Sequence, residues 1–376
     1  MLNLFDAAFP CKRLGLIPMA ECIVFTGGGT AGHVFPALAV LDELAPRWRG
    51  RVVWIGSSSG MERDILRRRA IPYYGIPTGK LRRYFSLANF LDLFRVLFGF
   101  LASLAVLSRE RPRLVFSKGG YVTVPPLAAA RLLGIPSITH ESDLNPGLAT
   151  RINARSAQRV LVSFAESAGY LPPALRAKVI HTGNPVRRAL LGGEPAAGRA
   201  LVGCPPERPL LLVLGGSLGS AFINGAVERG LSELTSRCFV VHQMGSAHYR
   251  PASRPGYHAV AFLDAELPDL LAACDLVLCR AGANTLWELA ALGKPAVLVP
   301  LSGQSSRGDQ LENARHFAGQ GAALVVPEEE EGRLVGEVLR LLEDPSRLAE
   351  MGRRARELGR PDAAARIAEL VLERAR

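Results

Sequence analysis

The run CIVFTGGGTAGHVFPALAV at residues 22–40 decides the fold. Its first five residues are β-branched or apolar and read as a buried strand. A glycine-rich turn follows, and apolar residues at helical spacing then continue over 34–45. A strand that ends in glycines and opens a helix is the unit of an open parallel α/β sheet, and it places free backbone N–H groups at a helix start where anions bind. The same alternation recurs outward from it: VVWIG at 52–56, a helix over 61–69, LVFS at 114–117 and SITH at 137–140. Helices on both faces of a parallel sheet are implied.

A second series begins at LLLVLGG, residues 210–216. It runs through a helix over 221–234, FVVHQ at 239–243, HAVAFL at 258–263, DLVLCR at 275–280, a helix over 285–292 and AVLVP at 296–300. Between the series, HTGNPVRRALLGGEPAAG is punctuated by Pro, Gly and Asn, which marks a crossing between lobes near Pro185. At 376 residues the chain is long enough for two such lobes. We expect a first domain over 21–184, a second over 185–360 and a closing helix over 361–376, with the lobe that receives this helix left open. Met19 directly precedes the first strand, so residues 1–20 are read as an extension that need not be native.

The formal net charge of +11 points to an anionic partner: nucleic acid, a phosphorylated substrate or an acidic lipid surface. The arginines are scattered without an aromatic-basic motif, which argues against nucleic acid. The six cysteines show no paired spacing and read as buried thiols of a reducing compartment.

Residues 87–108 are the most apolar stretch, yet Asn89, Asp92, Gly99 and Ser103 recur along one side of a helix, with Arg95 beside them. A membrane span needs about 20 residues nearly free of charge. Asp92 and Arg95 therefore argue against spanning. Lys80, Arg82 and Arg83 precede the stretch, and Arg109, Arg111 and Arg113 follow it. Apolar surface ringed by cations suits an anionic membrane face; a core helix with solvated ends fits the same pattern.

Three strand-to-helix turns carry the chemistry. Gly27–His33 is not a dinucleotide fingerprint, since no acidic residue closes the second strand. A histidine in the first turn of that helix, His33, is biased toward its neutral form and suits a general base, although capping or packing is the plainer role. Gly215–Ser220 repeats the device in the second lobe, so two helix starts face one interdomain cleft. After DLVLCR, Thr285 and Glu288 have capping-box spacing, but a carboxylate in that unit also suits ribose hydroxyls. Asp309 and Gln310, next to Asn313, suit sugar hydroxyls or simply a surface helix start. No D-x-D pair occurs, which disfavours a metal-clamped sugar diphosphate and leaves the helix starts to offset leaving-group charge.

Taken in order, TGGGTAGHVFPALAV, GGYV at 119–122, HESDLNPG at 140–147, TGNPVR at 182–187, GGSLGS at 215–220, RAGANTLWELAALGKPAVLVPLS at 280–302 and RGDQLENA at 307–314 resemble the MurG family of peptidoglycan N-acetylglucosaminyltransferases. The resemblance implies an α/β GT-B glycosyltransferase: two Rossmann-like domains with parallel sheets facing a cleft, UDP-GlcNAc in the second lobe and the lipid acceptor in the first. It implies no cofactor or metal and a single inverting displacement that converts lipid I (undecaprenyl-pyrophosphoryl-MurNAc-pentapeptide) to lipid II at the muramyl 4-hydroxyl.

Carried over, Thr30, Ala31 and Gly32 line the phosphate-facing loop, with His33 as the base. Asp143, in a place where many members have asparagine, is a substrate contact. Arg187 and Ser217 approach the diphosphate, and Leu263 meets uracil through its backbone. Ala283, Asn284, Thr285, Leu286, Trp287 and Glu288 meet phosphate and ribose, while Asp309 and Gln310 read the sugar. Leu81, Tyr84, Phe85, Leu87, Phe90 and Phe94 become a membrane patch. The enzyme is then peripheral on the cytoplasmic face of an anionic cell membrane, among other wall-synthesis proteins that serve cell shape and division. An epimerase of the same two-lobe fold, a transferase that glycosylates diacylglycerol and a non-catalytic sugar-nucleotide subunit are the competing readings.

Overall fold

The structure, a computed structural model, describes residues 21–79, 87–216, 218–251, 253–302 and 308–376. The expectations for residues 1–20, Leu81, Tyr84, Phe85 and Ser217 fall outside them.

The first lobe holds β1 (Cys22–Thr26), β2 (Arg51–Ser57), β3 (Tyr73–Ile76), β4 (Leu114–Ser117), β5 (Ser137–Glu141), β6 (Arg159–Val162) and β7 (Val179–His181). They form a 7-stranded sheet in the order β3-β2-β1-β4-β5-β6-β7, parallel throughout. The second holds β8 (Leu210–Leu214), β9 (Phe239–Gln243), β10 (Ser253–Arg254), β11 (Tyr257–Val260), β12 (Leu276–Cys279), β13 (Ala296–Leu298) and β14 (Ala323–Val325). Its order is β10-β11-β9-β8-β12-β13-β14, parallel except where β10 pairs with β11. In both sheets the first strand lies inside the sheet and the order reverses around it, which opens a crevice at the carboxyl ends where ligands bind. Burial of β1 and β8 on both faces explains why each reads as a continuous apolar run.

The helix Ala363–Ala375 returns to the first lobe. Ile367, Val371 and Leu372 pack with Ile23, Phe25 and Leu38 beneath β1. Gly183 makes this crossing possible: its φ is +83°, and a Cβ there would stand 2.6 Å from the Cβ of Arg360. The lobes also meet through aromatic rings. Phe164 of the first lobe lies 4.8 Å from Trp287 and 5.0 Å from His316 of the second, centroid to centroid.

The helix Leu87–Glu110 is amphipathic in the inverted sense. Asp92 and Ser103 are buried, Ser103 donates to the Gly99 carbonyl at 2.7 Å, and a Cβ on Gly99 would strike the Pro77 carbonyl at 2.2 Å. The polar stripe therefore faces the lobe. Outward stand Leu93, Phe94, Leu97, Phe98 and Leu101, each at least 44% exposed and spaced as one helical stripe. Among the described residues no helix is long and apolar enough to cross a membrane. The five described cysteines are buried and unpaired.

Candidate active site

The glycine loop after β1 is held from behind by buried groups. Glu62, wholly buried, accepts from the Ser57 N–H at 2.8 Å and the Gly29 N–H at 3.2 Å, and Trp54 donates to the Gly27 carbonyl at 3.0 Å. Gly28 is obligatory here, since a Cβ on it would lie 2.2 Å from Glu62 Oε1. Glu62 was not legible as a site residue, because one acid in a short helix carries no sequence signal.

His33 sits one turn into the helix Ala31–Leu44. Its Nδ1 donates to the Lys118 carbonyl at 3.3 Å, which fixes the tautomer and puts the lone pair on Nε2. The GGYV motif serves this ring. Gly120 has φ +83°, and a Cβ on it would approach His33 Cδ2 to 2.9 Å.

The loop after β5 is built around Glu141. Its carboxylate accepts from the N–H groups of Ser142 (2.8 Å), Asp143 (3.1 Å) and Gly147 (3.1 Å). His140, fully buried, meets the Gly183 carbonyl through Nε2 at 3.0 Å, and burial followed by the charge of Lys118 holds its pKa well below the ordinary range. Thr30, His33, Tyr121, Glu141, Asp143 and Thr150 wall a cavity of about 420 Å³ in this lobe.

A second cavity of about 210 Å³ lies between the lobes, walled by Gly32, Arg187, Leu263, Asn284, Thr285 and Glu288 among others. The helix Ala283–Leu292 divides the six consecutive residues expected to meet the donor. At 100° per residue, Asn284, Thr285 and Glu288 share the cavity face. The side chains of Ala283, Leu286 and Trp287 turn into the core, so they support the wall and are not part of it. The capping-box reading of Thr285 and Glu288 fails, because the helix starts two residues before Thr285 and its N-cap is Gly282. Glu288 instead faces Arg187, Oε1 to Nη2 at 3.7 Å, and Arg187 lies over the Phe35 ring at 5.3 Å. Burial raises the Glu288 pKa against the opposing pull of Arg187.

Leu263 is buried, and its N–H donates to Gln243 Oε1 at 3.0 Å while Gln243 Nε2 donates to the Gly216 carbonyl at 2.9 Å. Gln243 thus ties the Leu263 segment to the second glycine loop. Around that loop a third cavity, about 480 Å³, is walled by Gly215, Gly216, Ser220, Arg280, Gln310 and Glu328 with others. Arg280 pairs with Glu328 at 2.6 Å, and Gln310 accepts from the Leu301 N–H at 3.2 Å. Asp309 is the first residue of the helix Asp309–Gly319, whose N-cap, Gly308, has φ +83°.

Two asparagines join the halves. Asn284 donates to the Gly32 carbonyl at 2.8 Å and accepts from Asn184 Nδ2 at 3.0 Å. Asn313, wholly buried, donates to Asp143 at 2.9 Å and accepts from the Leu144 N–H at 2.9 Å. The loop after β5 is thereby clasped by the helix that carries Asp309 and Gln310.

Sequence comparisons agree with this layout. Residues 23–162 match the glycosyltransferase family 28 N-terminal domain and residues 210–367 its C-terminal domain. The chain is 46% identical over 363 residues to the UDP-N-acetylglucosamine--N-acetylmuramyl-(pentapeptide) pyrophosphoryl-undecaprenol N-acetylglucosamine transferase of Treponema pallidum (strain Nichols), covering 93% of this chain and 94% of that protein. It is 46% identical over 310 residues to the protein of the same name from Clostridium botulinum (strain 657), covering 82% and 86%. Among solved structures, that of MurG from Acinetobacter baumannii superposes with a TM-score of 0.73 at 27% identity, over 94% of this chain and 99% of that one.

Proposed function

The chain belongs to glycosyltransferase family 28 and, within it, to the MurG family, and we propose from this premise that it transfers N-acetylglucosamine from UDP-GlcNAc to the muramyl 4-hydroxyl of undecaprenyl-pyrophosphoryl-MurNAc-pentapeptide. One observation carries the assignment to the cleft. His33 walls the first-lobe cavity and its neighbour Gly32 walls the interlobe cavity, so one helix turn borders both cavities.

In this reading the acceptor occupies the cavity of His33, Glu141 and Asp143, and the nucleotide occupies that of Arg187, Leu263 and Glu288. Glu288 accepts ribose hydroxyls. The Leu263 N–H is already engaged by Gln243, so uracil is met through the Leu263 carbonyl. Thr285 and the starts of the helices Ala31–Leu44, Ala221–Arg229 and Ala283–Leu292 receive the diphosphate, with Arg187 adding a full charge. Gln310 and Asp309 hold the sugar. The acceptor oxygen attacks the anomeric carbon, the bond to the β-phosphate oxygen breaks, and UDP leaves with its electron pair. His33 Nε2 takes the hydroxyl proton, and the configuration inverts.

The exposed stripe from Leu93 to Leu101 is the membrane-facing surface, and Phe94 belongs to it. Leu87 and Phe90 lie on the same helix. A contiguous exposed apolar stripe marks an interaction surface, and a lipid surface that retains the acceptor's polyprenyl chain covers it. The protein is then peripheral, on the cytoplasmic face.

Acceptor-dependent UDP release tests the reading. The transferase releases UDP stoichiometrically with a short-chain lipid I analogue and at background rate without it. An epimerase gives turnover of UDP-GlcNAc without acceptor, and a binding subunit gives none with it; either result contradicts the proposal.

A further inference from the structure

Lys118 is among the most deeply buried residues of the first lobe, 1% exposed at the end of β4. Its ammonium donates to Ser142 Oγ and, at 3.4 Å, to Asn184 Oδ1. Ser142 passes the chain on, donating to Asn184 Oδ1 at 2.9 Å. These partners are neutral, and a buried cation costs several kcal/mol unless opposite charge stands close by. The opposite charges are Glu141 and Asp143, the residues on either side of Ser142, and both act on the ammonium.

Both carboxylates wall the acceptor cavity, and no Lys or Arg is among its described walls. An acceptor that carries a diphosphate meets two acids there. Coulomb repulsion between unit charges a few ångströms apart amounts to a few kcal/mol at the effective dielectric of a protein cleft, so a cation close behind the acids favours entry of such a ligand.

We propose that Lys118 is a positioning residue for the acceptor: its buried ammonium is the counter-charge that allows a diphosphate-bearing ligand into a cavity walled by Glu141 and Asp143. This rests on the assignment of the first cavity to the acceptor. Lys118 also receives the His33 ring on its own carbonyl, so one residue steadies the base through its backbone and the acceptor loop through its side chain.

The test is a double-mutant cycle on the full chain with K118M, D143N and the pair, reading acceptor KM, kcat and UDP-GlcNAc affinity separately. K118M is expected to raise acceptor KM by on the order of tenfold with donor affinity unchanged, and D143N added to it to recover most of the loss. The amide oxygen introduced at 143 still accepts from Asn313, so the clasp survives. A pH profile supplies a readout that packing alone does not move. The groups acting on the ammonium are Glu141 at the end of β5, Asp143 from the loop after it, and His140 from β5, held neutral by burial, while His33 meets only the Lys118 carbonyl. Burial pushes Lys118 down to about 8, so wild-type acceptor KM rises as pH passes that value. D143N alone removes a charge that holds this pKa up and moves the rise to lower pH, a result that does not require K118M to fold. Wild-type acceptor KM in K118M, additive losses in the pair, or an unmoved alkaline limb in D143N overturns the proposal. Failure of the wild type to transfer at all would instead count against the function itself.

Discussion

Asn284 and Gly32 stand 252 residues apart and share a 2.8 Å hydrogen bond across the cleft, from Nδ2 to the carbonyl. The second residue of the helix Ala283–Leu292 thereby holds the peptide group next to His33. The interlobe cavity and the helix start that carries His33 are referenced to one another by this bond.

Replacing that amide by Asn284→Ala leaves the Gly32 carbonyl and the Asn184 amide without their partner at the lobe interface. Each unmade bond of this kind costs about 1–3 kcal/mol. We expect kcat/KM to fall roughly tenfold or more, with the radius of gyration in small-angle scattering rising as the lobes part. Unchanged kinetics and radius would show that the bond does not set lobe position.

Gly120→Ala adds one methyl group 2.9 Å from His33 Cδ2, at a φ of +83° that side chains rarely adopt. kcat should fall by at least about an order of magnitude, since misplacing a base by an ångström has that scale of effect. UDP-GlcNAc affinity, set in the other lobe, should hold. Loss of both in parallel would mean the substitution unfolds the lobe.

Donor affinity should weaken on the acid side earlier than an ordinary glutamate predicts. Burial raises the Glu288 pKa, so as pH falls the carboxylate takes up its proton at a higher pH than an ordinary glutamate and loses the charge that strengthens its bonds to hydroxyls and pairs it with Arg187. Titration calorimetry of UDP-GlcNAc against pH shows the limb. Glu288→Gln should weaken binding about tenfold and leave it flat across the same range.

Leu97→Ser with Phe98→Ser removes two of the exposed side chains of the helix Leu87–Glu110. Burying such a side chain is worth about 1.5–3 kcal/mol, so partition onto anionic vesicles should drop tenfold or more. Thermal stability should move little, because exposed substitutions usually stay within about 0.5 kcal/mol. Retained vesicle binding would move the membrane surface elsewhere.

Much of this architecture was legible in the sequence because it is local. CIVFT, LVFS and FVVHQ are strands at the positions where their apolar runs end in turn residues, and the glycines of 27–32 and 215–219 fall in the turns between a strand and the helix that follows it. The short β7 and β14 left no such mark, being three residues long and only half-buried. Functional residues that act at long range were the least visible. Glu62 and Lys118 are single polar residues outside the quoted motifs, Asn184 and Asn313 lie inside TGNPVR and RGDQLENA without a legible role, and all four act through partners many residues away. The six-residue stretch from Ala283 to Glu288 reads as one contact in sequence, and helical geometry reduces it to alternate faces. The polar stripe at Asp92 and Ser103 was visible, but its direction was not, because periodicity fixes a face without saying what lies against it.

The most direct measurement is transfer of labelled N-acetylglucosamine from its UDP donor to a short-chain lipid I analogue, with chelator present and with His33→Ala run beside the wild type. The account predicts a β-linked disaccharide product in the organic phase despite the chelator. It also predicts a loss of about 10²–10⁴ in kcat for His33→Ala, the scale of general base catalysis, with donor binding retained. A product of unchanged anomeric configuration, or undiminished turnover in His33→Ala, would contradict the single displacement with His33 as its base.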